Sequence, residues 1–227
     1  MRKLKFMVGS KLVNIEDCKN PLGHSFDPEG YHFLVEALNL YEIHGYDRAE
    51  AYVKNFYQNF RPTNSNFLNV ASGVRIEWQI DDPFQYPWGN FSCDVDVIPK
   101  KDIINARICG PNDLNKTESD FRRFIELYEN IKRTGMTNPI ITGAFMLKNG
   151  QSRFIVLQGN HRTAILAKLG IKQIRVKKLD SDKNVRYEDL KMYMYVHQGQ
   201  CSLTEAQLYF NTLFNSSGMK IKEFYGL

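Results

Sequence analysis

Cysteine is scarce in this chain, and its spacing excludes the usual cysteine-based scaffolds. The four cysteines lie far apart, with neither a Cys-x-x-Cys pair nor a neighbouring pair of histidines: Cys18, Cys93, Cys109 and Cys201. Structural zinc sites and disulfide frameworks depend on such close spacings. We therefore expect ordinary thiols, with no zinc site and no disulfide framework.

Long apolar runs are missing too. A membrane-spanning helix needs roughly 20 mostly apolar residues, and no stretch of the sequence approaches that length. Near the N-terminus, Gly9, Ser10 and Lys11 interrupt the apolar residues too early for the core of a signal peptide. The sequence therefore predicts a cytoplasmic protein with no membrane partner.

A strong charge imbalance is absent as well. The 227 residues carry a net charge of +5, and 43% of them are hydrophobic. This is the composition of a folded protein with enough chain for a full-sized core. The small positive excess fits a partner that carries phosphate, but it is too small to favour nucleic acid by itself.

Residues 1–92 are predicted to form a helix-rich N-terminal extension. Apolar residues recur at steps of three and four over 29–42 and again over 49–60, which is the period of an amphipathic helix, and Gly45 lies between the two. Strict alternation over 74–80 predicts one strand. Two prolines and a glycine then mark the end of the extension.

Residues 93–180 are predicted to form an α+β domain, a mixed sheet covered by helices, because short strands and helices alternate along them. The predicted strands cover 95–98, 140–142, 145–147, 154–157 and 174–177, and the predicted helices cover 118–133 and 161–169. Thr117 is expected to cap the first helix, and Gly135 and Gly170 are expected to end the first and the second.

Residues 181–227 are predicted to form a short C-terminal tail of two helices packed on this domain. Ser202 or Thr204 is expected to cap the second of these helices.

A polar turn joins the predicted strand 154–157 to the predicted helix 161–169. It consists of Gln158, Gly159, Asn160, His161, Arg162 and Thr163. A glycine lets a ligand approach the backbone, and the first N–H groups of a helix attract an anion. Arg162 can hold a phosphate through two parallel hydrogen bonds. From spacing alone, an ion pair between Arg162 and a structural carboxylate is an equally good interpretation.

Segments on both sides of this turn resemble the ParB/sulfiredoxin superfamily over about residues 94–180. They are Val95–Pro99, which is similar to the family's first strand, Ile131–Ile141, Phe154–Ala164 and Lys168–Gly170. The resemblance implies a nucleotide pocket between two boxes. Gly135, Thr137, Asn138 and Pro139 match the box near the base or ribose, and Gly159 to Thr163 match the box that holds the phosphates. Without the resemblance, the first box is a helix stop before an extended X-Pro segment.

Departures from the family narrow the expected function. Sulfiredoxins carry their catalytic cysteine where this chain has Asn160, so we do not expect repair of sulfinic acid. The DNA-partitioning members usually carry Gly-Glu-Arg-Arg at the turn and a downstream Glu-Asn-x-x-Arg box, for which Val196–Gln200 lacks the carboxylate and the arginine. The chain beyond it is also too short for a helix-turn-helix domain. A clamp that slides on DNA is therefore disfavoured.

A third branch of the superfamily comprises kinases of free serine and related phosphotransferases. Its members have an aspartate before a Gly-His-His-Arg turn, where this chain has Gln158, and an acidic residue after the first strand, for which Asp102 or Asp96 is available. In such an enzyme a carboxylate takes a proton from the acceptor hydroxyl. The resemblance makes Asp102 and His161 the catalytic candidates, and a surface position without a catalytic role stays open for Asp102.

The loop before the predicted domain carries side chains suited to a sugar or a base. The carboxylate of Asp82 can accept hydroxyl hydrogen bonds, the ring of Trp88 can stack on a ligand, and Asn90 lies two residues further on. The alternative is that Trp88 fills the interface between the extension and the domain.

The sequence thus predicts a nucleotide-binding protein. The favoured function is an ATP-dependent phosphotransferase that uses Mg²⁺ and acts on a small hydroxylated acceptor. The alternative is a non-enzymatic switch of the ParB type, responsive to CTP or ATP, that controls assembly of a homo-oligomer or weak DNA binding. The sequence does not identify metal ligands, and it contains no carboxylate and histidine cluster suited to a metal-dependent nuclease.

Overall fold

The computed structural model describes residues 10–20, 24–59, 114–136, 141–178, 184–192, 196 and 202–215. The strands within these ranges are β1 Ser10–Asn14, β2 Cys18–Lys19, β3 Ile141–Lys148, β4 Gln151–Gln158, β5 Gln173–Lys178 and β6 Val185–Arg186. The helices are α1 Phe33–His44, α2 Tyr46–Asn59, α3 Leu114–Thr134, α4 Asn160–Lys168 and α5 Leu203–Asn215, with 3₁₀ helices at Ile15–Asp17 and Tyr187–Met192. The predicted strands 74–80 and 95–98 lie outside the described residues.

The described strands form one mixed sheet in the order β1-β5-β3-β4-β2. The central strand β3 is antiparallel to β4 and parallel to β5. Because β5 pairs with only the first residues of β3, the short strand β6 pairs in parallel with the later residues, Met146 and Leu147. The predicted α+β class with a mixed sheet is confirmed at this level.

Both edges of the sheet come from the N-terminal segment, where the sequence analysis predicted no strand before residue 74. Strand β1 is antiparallel to β5 along its whole length, and β2 is parallel to β4. Neither has a clear signal in the sequence: β2 has two residues, and β1 lacks an alternating burial pattern. The N-terminal segment therefore belongs to the same sheet as residues 141–178.

Helices cover both faces of the sheet. On one face, the buried residues of α1 to α4 form a core with alternate residues of the strands, including Phe154 and Val156 of β4. Between these two residues, Ile155 faces the opposite side and packs with Met146 and with the apolar face of α5. The strict alternation along β4 follows from the two-residue period of a strand. Among the described residues, no helix is long and apolar enough to cross a membrane.

Positive-φ glycines end three of the helices, as the sequence predicted. Gly45 lies between α1 and α2 with φ of 83°; its N–H donates to Tyr41 and its carbonyl accepts from Ala49, so one residue serves both helices. Gly135 follows α3 in the same way. At the end of α4, Gly170 and Ile171 donate to the carbonyls of Ala167 and Leu166, which is the Schellman pattern.

Several local predictions were wrong. The strands predicted at 140–142 and 145–147 are one strand, β3, with a register irregularity between Thr142 and Gly143. Gly143 lies inside this strand and permits a close approach of β4, since a Cβ on Gly143 would lie 1.9 Å from the Ile155 carbonyl oxygen. Thr117 does not cap α3, which begins three residues earlier because nothing in residues 114–116 breaks a helix.

The tail also differs from the prediction in detail. Its first helix is a 3₁₀ helix of six residues that directly follows β6. In the second, α5, the carbonyl of Ser202 accepts from the N–H of Ala206, so Ser202 occupies the cap and Thr204 lies inside the helix.

Candidate nucleotide site

The strand-to-helix turn predicted to bind phosphate is a single glycine. Strand β4 ends at Gln158 and α4 begins at Asn160, and Gly159 between them has φ 97° and ψ 20°. A Cβ at this position would lie 3.2 Å from Ile141 Cγ1 and 3.3 Å from Arg162 Nη2. Glycine is therefore favoured here both by the backbone conformation and by the lack of space.

The close approach of Arg162 to Gly159 means that its guanidinium group folds back over the turn. Arg162 is half-buried and lies in the first turn of α4. The N–H groups of a first helical turn point away from the helix body, and the helix dipole is positive at this end. The guanidinium group of Arg162 thus lies at the end of α4 where backbone donors and the helix dipole favour an anion.

Thr163 holds the turn together from within. Its N–H donates to the Gly159 carbonyl at 2.8 Å, and its hydroxyl donates to the same oxygen at 2.9 Å. The side chain is fully buried. Thr163 was a predicted phosphate ligand, and the structure places its hydroxyl on the turn itself.

Asn160 and Gln158, on either side of Gly159, differ in the burial and hydrogen bonding of their side chains. Asn160 donates through Nδ2 to the Val156 carbonyl at 3.3 Å, whereas its Oδ1 is buried without a hydrogen-bond partner among the described residues. Gln158 is exposed and accepts from the Thr142 hydroxyl at 3.2 Å. A ligand hydroxyl or amino group would satisfy Asn160 Oδ1.

The structure describes only the first residue of the predicted base or ribose box. Gly135 lies at the end of α3 with φ 73°, and Ile141 begins β3 with its Cγ1 3.2 Å from the position that a Cβ of Gly159 would occupy. Thr137, Asn138 and Pro139, which lie between them in sequence, are outside the described residues. So are the other predicted catalytic and acceptor residues, namely Asp102, Asp82, Trp88 and Asn90.

The sequence analysis missed a group of buried polar residues in the N-terminal segment. Among the described residues, the buried polar side chains are Thr163 in the turn and five residues of segment 19–32: Lys19, Asn20, His24, Ser25 and His32. Lys19 Nζ donates to Ser25 Oγ at 2.5 Å, and Asn20 Oδ1 accepts from the N–H of His24 at 2.9 Å. Periodicity gives no signal for such residues, because they come together through tertiary structure.

Two of these buried residues are histidines whose rings lie against each other. The rings of His24 and His32 are 5.4 Å apart, edge to face, and the His32 ring stacks on Phe26 at 4.2 Å. His161, in the first turn of α4, has its ring 5.3 Å from that of Phe124. Burial lowers the pKa of His24 to about 3. The pKa of His32 is lowered well below its ordinary value by burial and then by the charges of His24 and His161.

His32 has a defined tautomer. As the N-cap of α1 it accepts, through Nδ1, the N–H of Leu34 at 3.1 Å. An imidazole nitrogen that accepts carries no proton, so the neutral ring has its proton on Nε2. This Nε2 is buried and has no hydrogen-bond partner among the described residues, as is also the case for both ring nitrogens of His24.

Within the described ranges, no group of three or more histidine, cysteine, aspartate or glutamate residues is arranged to hold a metal ion.

Comparison of the chain with protein families, with curated proteins and with solved structures found no significant match. The resemblance to the ParB/sulfiredoxin superfamily therefore stays a prediction from the motifs.

Proposed function

We propose that the turn at Gly159 binds the phosphates of a nucleotide, and that the protein is an ATP-dependent phosphotransferase acting on a small hydroxylated acceptor. The observation that carries the proposal is the position of Arg162. Its Nη2 lies 3.3 Å from the Cβ position of Gly159, at the positive end of α4. The helix dipole disfavours a cation there by about 0.3 to 1 kcal/mol, and an anion bound between them would attract both and offset this repulsion.

The nucleotide class is supported by the donors and acceptors around the turn. Phosphate oxygens fit the guanidinium group and the backbone N–H groups, and a ribose hydroxyl or a base amino group fits the buried Oδ1 of Asn160. Mg²⁺ enters this proposal as part of the nucleotide complex, since the described residues offer no ligand cluster of their own. Asp102 is proposed as general base and His161 as a second catalytic residue.

The first experiment measures binding and turnover together. Ligand that binds only the native state raises the melting temperature, so ATP, CTP, GTP and their diphosphates are compared with and without Mg²⁺. Turnover is followed as ADP formation that depends on a hydroxylated acceptor. Arg162→Ala is expected to abolish both the rise in melting temperature and the formation of ADP. Arg123→Ala is the control, because it removes the same charge from a side chain of α3 that is 79% exposed.

The outcomes separate the two functions predicted from the sequence. Loss of binding in Arg162→Ala together with acceptor-dependent ADP formation by the native protein supports the phosphotransferase. Saturable binding of CTP or ATP with no ADP formation, and a change of oligomeric state, would favour the switch. If Arg162→Ala binds and turns over nucleotide like the native protein, the turn is not the phosphate site.

A further inference from the structure

Among the described residues, the buried histidine pair is the largest group of unsatisfied polar side-chain atoms. Three of its ring nitrogens, both of His24 and Nε2 of His32, have no hydrogen-bond partner among the described residues. His24 is 0% exposed and His32 is 2% exposed. Buried polar groups are nearly always satisfied by protein, by ordered water or by a ligand. An unsatisfied pair inside a well-packed core therefore indicates that something polar binds there.

The chemistry of the missing partner follows from the tautomer of His32. Because Nδ1 accepts the Leu34 N–H, Nε2 carries the proton and can only donate. It projects from the opposite side of the ring, away from the start of α1. The partner must then present an acceptor, and an oxygen of an anion is the strongest acceptor available.

The location of the pair connects it to the Gly159 turn. Helix α1, which His32 caps, packs against α4. Lys168, the last residue of α4, donates to Asn39 of α1 and pairs with Glu42, each at 2.8 Å, and the charge of His161, the second residue of α4, acts on His32 at the start of α1. The first turn of α4 is the positive end of that helix and carries Arg162. The Nε2–H of His32 and the donors in the first turn of α4 thus belong to two helices that pack against each other.

We propose that the Nε2–H of His32 donates to a phosphate oxygen of the ligand held at the first turn of α4, so that the segment with His24 and His32 forms one wall of the phosphate site. This inference rests on the proposed binding of phosphate at the Gly159 turn. It assigns a ligand contact to a part of the chain outside the motifs that predicted the site. It also explains why a buried histidine caps α1, where a serine or aspartate would be the commoner choice.

The test replaces the donor and keeps the helix cap. Asparagine is among the best N-cap residues, so His32→Asn preserves an acceptor for the Leu34 N–H and removes the Nε2–H. Calorimetry measures binding of ATP with Mg²⁺ and of inorganic phosphate. We expect His32→Asn to weaken both by about tenfold or more, which is the effect of one lost hydrogen bond to a charged group. The control is His44→Asn, the same change at the exposed end of α1.

A measurement on the native protein keeps the inference testable if His32→Asn does not fold. In ¹⁵N-histidine NMR, the ring nitrogens of His32 report the tautomer directly. Addition of inorganic phosphate is expected to shift the Nε2–H resonance of His32 and to leave that of His44 in place. An Nε2 signal that does not respond, in a protein that binds phosphate, shows that an enclosed water or nothing occupies this position, and overturns the inference.

The results distinguish this inference from the function on which it rests. If Arg162→Ala loses phosphate while His32→Asn binds as the native protein does, the phosphate site stands and the contact from His32 is wrong. If the native protein binds phosphate with a shifted His32 signal but binds no nucleotide, the anion contact stands and the nucleotide function is wrong. Binding of neither ligand by the native protein overturns both.

Discussion

At the residue scale, Gly159 combines two constraints that can be separated by experiment. Its φ of 97° is a conformation that disfavours any side chain, and a Cβ there would lie 3.2 Å from Ile141 Cγ1 and 3.3 Å from Arg162 Nη2, so that a neighbour would have to shift. Gly150, in the turn between β3 and β4, has φ of 77° but nothing within 4 Å of a Cβ. The two glycines therefore share the backbone constraint and differ in crowding.

We expect Gly150→Ala to lower the free energy of unfolding by about 1 to 2 kcal/mol, the usual cost of a side chain in the left-handed region. Gly159→Ala is expected to cost more, because the Cβ must displace Ile141 or the Arg162 guanidinium group, and to reduce nucleotide binding as well. Urea denaturation and thermal shift with ATP measure the two effects. Equal costs at the two positions would contradict the crowding seen at Gly159.

The buried histidines predict a loss of stability in acid. The pKa of His24 is about 3 in the folded protein and about 6.5 when unfolded. Between these values the unfolded chain binds the additional proton, so stability is fully present above pH 6.5 and falls as the pH drops towards 3. For one histidine, the free energy of unfolding changes by at most about 1.4 kcal/mol per pH unit. In denaturation curves from pH 7 to pH 4, His24→Phe should have a shallower slope, and His32, whose pKa is also lowered, accounts for part of what remains. His44→Phe should keep the full slope, and an unchanged slope in His24→Phe would show that His24 takes up its proton without unfolding.

At the element scale, the structure shows which parts of the fold local sequence can predict. The periods of α1 to α4 and of β4 and β5 are long enough to be visible in the sequence, and the glycines that end the helices have a direct steric reason. The strands that were missed, β1, β2 and β6, are short and exist only through pairing with residues far away in the chain. The Gly159 turn is a local motif and was predicted, whereas the packing of α1 on α4 joins residues far apart in the chain and has no local signal.

The central strand β3 contains a glycine at a position that has no space for a side chain. Gly143 lies at the register irregularity, and a Cβ there would overlap the Ile155 carbonyl oxygen at 1.9 Å and the ring of Phe154 at 2.8 Å. Since backbone atoms cannot move aside as a flexible side chain can, β3 and β4 would have to separate.

We expect Gly143→Ala to reduce stability by about 3 kcal/mol, the upper end of the usual cost of overpacking. Chemical denaturation measures the effect, with Ser152→Ala on β4, whose side chain is exposed, as the control. A loss below about 1 kcal/mol would mean that the strands approach less closely at this point.

Three helices are joined by one carboxylate. Glu42 of α1 accepts from the Tyr128 hydroxyl and from Lys132 Nζ of α3 at 2.8 Å, and from Lys168 Nζ of α4 at 2.8 Å. Hydrogen bonds from Lys132, Lys168 and Tyr128 lower the pKa of Glu42 to about 2. This network fixes α1 against α4, and therefore fixes His32 relative to the Gly159 turn.

Glu42→Gln is expected to destabilise the protein by about 1 kcal/mol at pH 7, the scale of a partly exposed ion-pair network. The folded pKa lies below the unfolded value of about 4.5, so this contribution is present above pH 4.5 and is lost as the pH falls towards 2. The difference between the native protein and the variant should therefore shrink in acid. Glu126→Gln, at an exposed position of α3, is the control, and a difference that does not depend on pH would mean that the carboxylate charge is not the cause.

At the scale of the whole molecule, the N-terminal segment and the predicted nucleotide domain share a sheet and a core. Phe33, Leu34, Ala37 and Leu38 of α1 are fully buried in the same core as Ile141 and Phe154. Arg153 of β4 adds a polar connection, since it donates to Asp17 at 2.5 Å while lying over the ring of Phe214 in α5. Contacts of this kind join the first, middle and last parts of the described chain.

This architecture predicts that residues 93–227 do not fold without residues 1–92. Full burial of one large apolar side chain stabilises a protein by about 1.5 to 3 kcal/mol, so loss of the α1 residues alone would remove an amount comparable to the total stability of a domain, about 5 to 15 kcal/mol. The fragment would also expose the β5 edge that β1 covers. We expect a 93–227 fragment to lack dispersed NMR signals and a cooperative melting transition, and to recover both when co-expressed with residues 1–92. A fragment that melts cooperatively on its own would show that the motif-bearing segment is an independent domain and that His24 and His32 are accessory to its fold.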